Sequence, residues 1–163
     1  NAGYRQGSEG IFTSQVRLQA WSIRNLAQSA YATPDSHYLK KGFVASVGYN
    51  ISNDEALYSN NPNANKLGAV ASYDGYQLFA PWMDDFLTWT FSYVTDLGFN
   101  AQPIRDWKLK FPVGRMGTTA YCYVEATAYH LVTGTSDTVW YPDFATLYTA
   151  RHVPASSVSA LSE

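Results

Sequence analysis

The segment 81-PWMDDFLTWTFSYVTDLGF-99 decides the fold class, because it carries the signals of one complete helix. Pro81 suits the first helical turn, where no bond needs its missing N–H, and the acidic pair Asp84 and Asp85 complements the positive end of the helix dipole. Gly98, followed by an aromatic residue, is typical of a helix that ends in a left-handed glycine. The segment therefore predicts a helix over 81–97.

The rest of the chain repeats this kind of pattern. An apolar period of three and four residues predicts a helix over 14–32, and Thr33 as N-cap with Pro34 at the first helical position predicts the next helix over 35–58. Shorter helices are predicted over 103–110, ended by Phe111-Pro112 and a turn at 113–117, and then over 118–132 and 142–152.

These six helices pair in chain order as three hairpins. The predicted fold class is all-α: stacked αα-hairpins (about six helices), arranged either as a partial (α/α) toroid or as an irregular helical bundle. The 163 residues suit a single helical domain, 1–163, which is either a whole protein or a fragment of a larger one. We expect 1–12 and 154–163 to be poorly ordered.

The helical period also predicts which side chains form the core. Apolar residues that recur on one face of each helix are expected to be buried. They are Ala20, Ile23, Ala27, Phe43, Val47, Phe86, Trp89, Tyr93 and Val124.

Composition narrows the classes of function. The net charge of -2 argues against nucleic-acid binding, which needs clustered Lys and Arg, and no apolar stretch approaches the length of a membrane span. Cys122 is the single cysteine, and the histidines lack metal-ligand spacing, so we predict no metal and no cofactor. No signal peptide opens the chain, but a trimmed N-terminus leaves an extracytoplasmic location open.

Three groups of residues suggest chemistry, and the first lies on the helix predicted over 14–32. Arg17, Trp21 and Arg24 are spaced by four and three residues and so share one helical face. A guanidinium, an indole and a second guanidinium in a row suit cation–π stacking and the binding of a carboxylate or an acidic sugar. The structural alternative is that these arginines pair with carboxylates of a neighbouring helix.

The second group opens the helix over 81–97. Adjacent carboxylates on a helix point about 100° apart, so Asp84 and Asp85 cannot form a face-to-face acid/base pair. Asp85 is a catalytic candidate beside Trp82, which would provide an aromatic floor for a sugar ring. The alternative is that the carboxylates only complement the helix dipole and the aromatic residues belong to the core.

The third group surrounds the start of the helix over 118–132. Tyr121 and Glu125 are four residues apart, and Arg115 lies on the preceding turn. In a pocket, Arg115 would bind a substrate carboxylate while Tyr121 or Glu125 exchanges a proton. The apolar surroundings of Glu125 would raise its pKa unless it is paired, and pairing with Arg17 or Arg24 explains this residue equally well.

Three stretches carry a resemblance to a known family: Arg-Leu-Gln-Ala-Trp at 17–21, Ala-Pro-Trp-Met-Asp-Asp-Phe at 80–86 and Tyr-Cys-Tyr-Val-Glu-Ala at 121–126. Set in helical hairpins, they resemble pieces of (α/α)-toroid proteins, a superfamily that includes polysaccharide lyases and unsaturated glucuronyl hydrolases. A full toroid has about twice as many hairpins as this chain can supply. The chain is therefore half a toroid, a fragment, or a separate helical fold.

Two functions follow from these patterns. One is a carbohydrate-active or carbohydrate-binding helical domain, with an oligosaccharide as partner and an acidic polysaccharide as the class that the arginines favour. The other is a non-catalytic interaction module that contacts other domains of a larger chain or a second copy of itself. A likeness of fold does not decide between them.

Overall fold

The computed structural model describes residues 10–11, 15–70, 79–119, 129–136 and 138–151. These residues are mainly helical, which agrees with the all-α class. The helices are α1 (Val16–Ala32), α2 (Lys40–Asp54), α3 (Pro81–Asp96), α4 (Gln102–Gly117) and α5 (Phe144–Arg151), and a π-helical segment (Glu55–Ser59) continues α2. Two short strands, β1 (Gly134–Ser136) and β2 (Val139–Trp140), pair antiparallel.

The helices of the described ranges pack around α1 and α3. α1 lies against α2 and, more extensively, against α3, while α3 also packs on α4. The first two predicted hairpins, α1 with α2 and α3 with α4, therefore pair as predicted, but the most extensive contact of α1 is with α3. Five α-helices and a strand pair, as far as the structure describes the chain, do not form the six-helix toroid arrangement.

The start of α2 differs from the prediction. Thr33 does not cap α2; it ends α1, and its hydroxyl donates to the carbonyl of Ser29 at 2.6 Å. The chain then turns, and α2 begins at Lys40. The ammonium of Lys40 donates to the carbonyl of Thr33 at 2.9 Å and pairs with Asp35, so it stabilises the carbonyl end of α1.

The end of α3 is confirmed. Gly98 has a φ of +91°, and its N–H donates to the carbonyl of Thr95 at 2.9 Å. The N–H of Phe99 reaches back to the carbonyl of Val94 at 3.3 Å. This pair of bonds is the Schellman ending that the sequence predicts.

The predicted stop at Phe111-Pro112 is wrong, because α4 continues through Pro112 to Gly117. Pro112 lacks an N–H and so removes one helical hydrogen bond. The buried face of α4 nevertheless runs on from Phe111 to Arg115, one turn later, and this burial holds the helix together across the proline. The predicted turn at 113–117 is part of the helix.

The helix predicted over 118–132 is not helical at either described end. Thr118 is extended, and its hydroxyl donates to the carbonyl of Gly114 at 2.7 Å, so it closes α4. The N–H of Leu131 donates to the carbonyl of Phe79 at 2.7 Å in an isolated β-bridge. Residues 120–128 lie outside the described ranges, and the core prediction for Val124 lies there too.

The core prediction is right for the α1 residues and for Val47 of α2, too deep for Phe43, and shifted by one position on α3. Ala20, Ile23, Ala27 and Val47 are fully buried, whereas Phe43, Phe86 and Tyr93 are only partly buried. Trp89 is 49% exposed, so its predicted burial is wrong. The large apolar side chains that α3 buries include Met83, Leu87, Phe91 and Val94.

A second core joins the loop before α3 to α4 and α5. Its buried members are Leu67, Ala69, Phe79, Phe111, Leu131, Phe144, Leu147 and Tyr148. Gly68 allows the loop to approach α4 closely. It has a φ of +76°, and a Cβ at this position would lie 2.6 Å from the carbonyl oxygen of Trp107.

We predict that Gly68→Ala lowers the free energy of unfolding by about 3 kcal/mol, because it adds a backbone clash to a left-handed conformation. Gly48→Ala is the matched control. A Cβ at Gly48, within α2, meets nothing within 4 Å, so alanine there should raise stability by about 0.5–1 kcal/mol. Urea denaturation measures both, and equal effects of the two substitutions would contradict the close approach of the loop.

Candidate functional site

Two consecutive carboxylates of α3 reach two different cations of α4. Asp84 pairs with Lys108, and Asp85 accepts a hydrogen bond of 2.6 Å from Nη2 of Arg115. Adjacent residues point in different directions on a helix, which is why each carboxylate meets its own cation. As the sequence predicts, the two aspartates do not form an acid/base pair.

The Asp84–Lys108 pair is fully buried and also binds the loop before α3. Lys108 donates to the carbonyl of Gly68 at 2.8 Å, and Oδ2 of Asp84 accepts from the N–H of Val70 at 3.0 Å. Burial lowers the pKa of Lys108 well below its ordinary value, and the charge of Arg115 adds to this effect, while the charge of Asp54 opposes it. The direct contact with Asp84 favours the charged ammonium.

Arg115 is buried as well, with only 2% of its surface exposed. Its guanidinium carbon lies 4.9 Å from the ring centre of Phe111, whose other cationic neighbour is Lys108 at 5.4 Å. The hydroxyl of Tyr148 donates to the carbonyl of Arg115 at 3.2 Å and ties α5 to the end of α4. Arg115 therefore does not face solvent itself. It orients Asp85, whose side chain is 38% exposed.

The outer face of α3 carries a row of aromatic side chains, and two residues of α1, Trp21 and Arg24, pack against this row. Phe86 stacks on Trp89 with ring centres 6.0 Å apart, and Trp89 stacks on Tyr93 at 5.5 Å. Trp21 of α1 meets Phe86 edge-on at 5.0 Å. Trp82 lies one turn before Phe86 on α3. We call the set the aromatic strip: Trp21, Arg24, Trp82, Phe86, Trp89 and Tyr93.

Arg24 lies between two tryptophans of the strip. Its guanidinium carbon is 5.0 Å from the ring centre of Trp21 and 5.3 Å from that of Trp89. Its Nε is buried without a hydrogen-bond partner within the described part of the chain. Cation–π contact on two rings fixes the plane of the guanidinium while leaving its charge without a carboxylate among these residues.

The strip is partly open to solvent. Trp21 is 48% exposed and Trp82 is 39% exposed, and Trp82 also contacts the exposed ring of Tyr129 at 6.1 Å. Three of the five tryptophans of the chain therefore lie half-exposed on α1 and α3. Exposed tryptophans in such a group are typical of binding surfaces.

The structure brings together some of the residues singled out in the sequence. Trp21 and Arg24 meet in the strip, and Asp85 meets Arg115. Arg17 is exposed, and its Nε donates to the side chain of Gln15 at 2.7 Å.

Of the other predicted site residues, one belongs to the aromatic strip and two fall outside the described residues. Trp82 lies at the start of α3, three residues before Asp85. Tyr121 and Glu125, the other catalytic candidates, fall outside the described residues, so their roles stay predictions.

Sequence reasoning missed the buried polar residues Lys108, Asp54 and Gln19. Lys108 falls between Ile104 and Phe111 on the apolar face of α4, and this spacing could have indicated that it is buried. No group of three or more His, Cys, Asp and Glu side chains that could hold a metal ion occurs among the described residues. None of the helices described is long and apolar enough to cross a membrane.

Comparisons with protein-family models, with curated proteins and with solved structures find no match to this chain.

We predict that Trp89→Ala lowers the free energy of unfolding by only about 1–2 kcal/mol, because half of the indole already contacts water. Phe91→Ala, two residues further along α3, removes a fully buried ring and should lower it by about 3–5 kcal/mol. Chemical denaturation of the two variants compares the faces of α3 directly. A larger effect at Trp89 would place the strip in the core.

Proposed function

We propose that the chain binds oligosaccharides along the aromatic strip, and that acidic glycans are its preferred ligands. The observation that carries this proposal is the exposure of Trp21, Trp82 and Trp89 on α1 and α3, with the guanidinium of Arg24 held between Trp21 and Trp89. Sugar rings present apolar C–H faces that pack on indole and phenol rings, while their hydroxyls stay hydrated.

The dimensions of the strip support a chain of sugars as the ligand. From Trp82 to Tyr93 the helix rises by about 16 Å, which exceeds the length of a monosaccharide. Stacking of Phe86, Trp89 and Tyr93 on one another fixes their orientation before a ligand arrives, so binding immobilises few additional side chains.

The charges favour a ligand with carboxylates. Arg24 is held between two rings without a carboxylate among the described residues. Arg17 lies two turns earlier on the same face of α1, and its side chain is exposed. A planar guanidinium binds a carboxylate through two parallel hydrogen bonds. The stretches that resemble carbohydrate-active toroid proteins include Trp21, Trp82 and Phe86, which also supports the proposal.

The contacts of Asp85 and Asp84 favour a binding function over a catalytic one at the strip. Oδ2 of Asp85 accepts a hydrogen bond of 2.6 Å from the buried guanidinium of Arg115, so this oxygen is already engaged by the protein itself. Asp84 is buried and paired, so it does not supply the second carboxyl of a hydrolytic site. We therefore assign Asp85 a structural role beside the strip.

The test is a titration with uronate oligosaccharides and with neutral oligosaccharides of the same length, followed by tryptophan fluorescence and calorimetry. We expect acidic oligosaccharides to bind and affinity to rise with chain length. Trp21→Ala should lower the affinity at least about tenfold, which corresponds to about 1.4 kcal/mol. Arg24→Gln should lower the affinity for acidic ligands and leave any binding of neutral ones unchanged.

Tyr38→Ala is the matched control, because Tyr38 is 84% exposed but belongs to the turn between α1 and α2. An equal loss of affinity in this variant would show that the strip is not the site. If no glycan of a broad panel binds while the fold is intact, the proposal fails and the alternative of a non-catalytic interaction module is preferred.

A further inference from the structure

A buried carboxyl lies where α2 meets the π-helical segment. Asp54 is the last residue of α2 and is 1% exposed. Its Oδ1 accepts a hydrogen bond of 2.8 Å from Nε2 of Gln19 on α1. Its Oδ2 is buried and has no hydrogen-bond partner within the residues described. A carboxylate oxygen without a donor is costly to bury, whereas a neutral acid tolerates this position better.

The charges around Asp54 leave it without a counter-ion of its own. Lys108 of α4 acts on it electrostatically, but the ammonium of Lys108 is already paired with Asp84 of α3. Arg115, the other buried cation of α4, is paired with Asp85. One ammonium, that of Lys108, therefore faces two buried carboxyls, those of Asp84 and Asp54. With Lys108 and Asp84 both charged, the three side chains together are neutral when Asp54 carries a proton.

The pKa values of Asp54 and of the ionisable groups near it agree with this count of charges. Burial raises the pKa of Asp54 to about 7, against the opposing effects of Gln19 and Lys108. Burial, with a contribution from Asp54, raises the pKa of Tyr58, and burial raises that of Glu55, so neither gains a charge more readily than usual. Asp54 is thus a group whose charge changes close to neutral pH.

The segment that follows Asp54 packs on α4 and on the end of α2. Glu55–Ser59 forms a single π-helical turn, closed by a bond of 2.8 Å from the N–H of Asn60 to the carbonyl of Glu55. Tyr58 stacks on Trp107 of α4 at 5.0 Å and docks the segment there. Such turns are rare and often mark functional positions.

We propose that Asp54 is a proton-controlled latch: its neutral acid keeps the π-helical segment docked on α4, and loss of the proton releases the segment. An ionised Asp54 gains hydration only when the chain beside it opens. The π-helical turn directly follows Asp54 and is the shortest helical element described, so opening is expected there before it spreads to α2 or α4.

Asp54→Asn tests the latch, because asparagine has the shape of the neutral acid and keeps an acceptor for Gln19. A carboxyl with a raised folded-state pKa stabilises the fold fully below its unfolded value, near 4, and this contribution is lost as the pH rises to about 7. The unfolding constant of the wild type, divided by that of the variant, should rise close to tenfold per pH unit between about pH 5 and pH 6.5 and level off above about pH 7. A constant ratio from pH 5 to pH 8 would overturn the proposal.

Asp143→Asn is the control for this series. Asp143 is exposed, and a hydrogen bond from the N–H of Thr146 lowers its pKa, so its contribution to stability is lost only in acid. The corresponding ratio for this variant should stay flat above pH 5. A slope like that of Asp54→Asn would show that the effect does not belong to the buried carboxyl.

Two measurements on the folded protein test the release itself. Carbon-detected NMR titration of the wild type should place the midpoint of the Asp54 carboxyl near pH 7, and a midpoint near 4 would overturn the proposal. Amide exchange at Asn60 and Asn61 should be at least tenfold faster in the wild type than in Asp54→Asn at pH 8, and equal at pH 5. Equal exchange at both values would show that Asp54 titrates without opening the segment, which also contradicts the latch.

Discussion

The buried ion pair of Asp84 and Lys108 is the constraint on which the other parts of the structure depend. It joins α3 to α4, and through Gly68 and Val70 it fixes the loop that leads into α3. A buried charge without its partner is strongly destabilising, so α3, α4 and the loop must assemble together. The same pair occupies the ammonium that would otherwise neutralise Asp54, which leaves that carboxyl dependent on a proton.

The ion pair also determines which face of α3 reaches solvent. With Asp84 directed inwards, Leu87 and Phe91 follow it into the core, and the aromatic row that begins at Trp82 lies outside. The small side chains of Ala20 and Ala27 let the buried face of α3 approach α1 closely. The large rings then collect at the margin between the two helices, where they form the surface proposed to bind glycans.

Local signals explain how much of this could be predicted from the sequence. The ends of α3 are set by residues at the ends themselves, such as Pro81 and Gly98, so they could be predicted. The exposure of Trp89 could not, because the stripe beginning at Trp82 and that beginning at Met83 have the same period. The continuation of α4 through Pro112 and the burial of Lys108 could not be predicted either, because both depend on packing against residues distant in sequence. Gly68, which accepts a hydrogen bond from Lys108, is forty residues away from it. For the candidate site, Trp21, Arg24 and Asp85 could be singled out by residue type, but the pairing of Asp85 with Arg115 across two helices could not.

A double-mutant cycle at Asp84 and Lys108 tests the central claim most directly. Lys108→Met leaves the Asp84 carboxylate buried without a counter-ion and should lower the free energy of unfolding by about 3–5 kcal/mol. Adding Asp84→Asn, which keeps an acceptor for the N–H of Val70, should restore part of this loss, with a coupling energy of at least about 1 kcal/mol. If Lys108→Met alone unfolds within about 0.5 kcal/mol of the wild type, or if the two substitutions are additive, the fold does not depend on this pair.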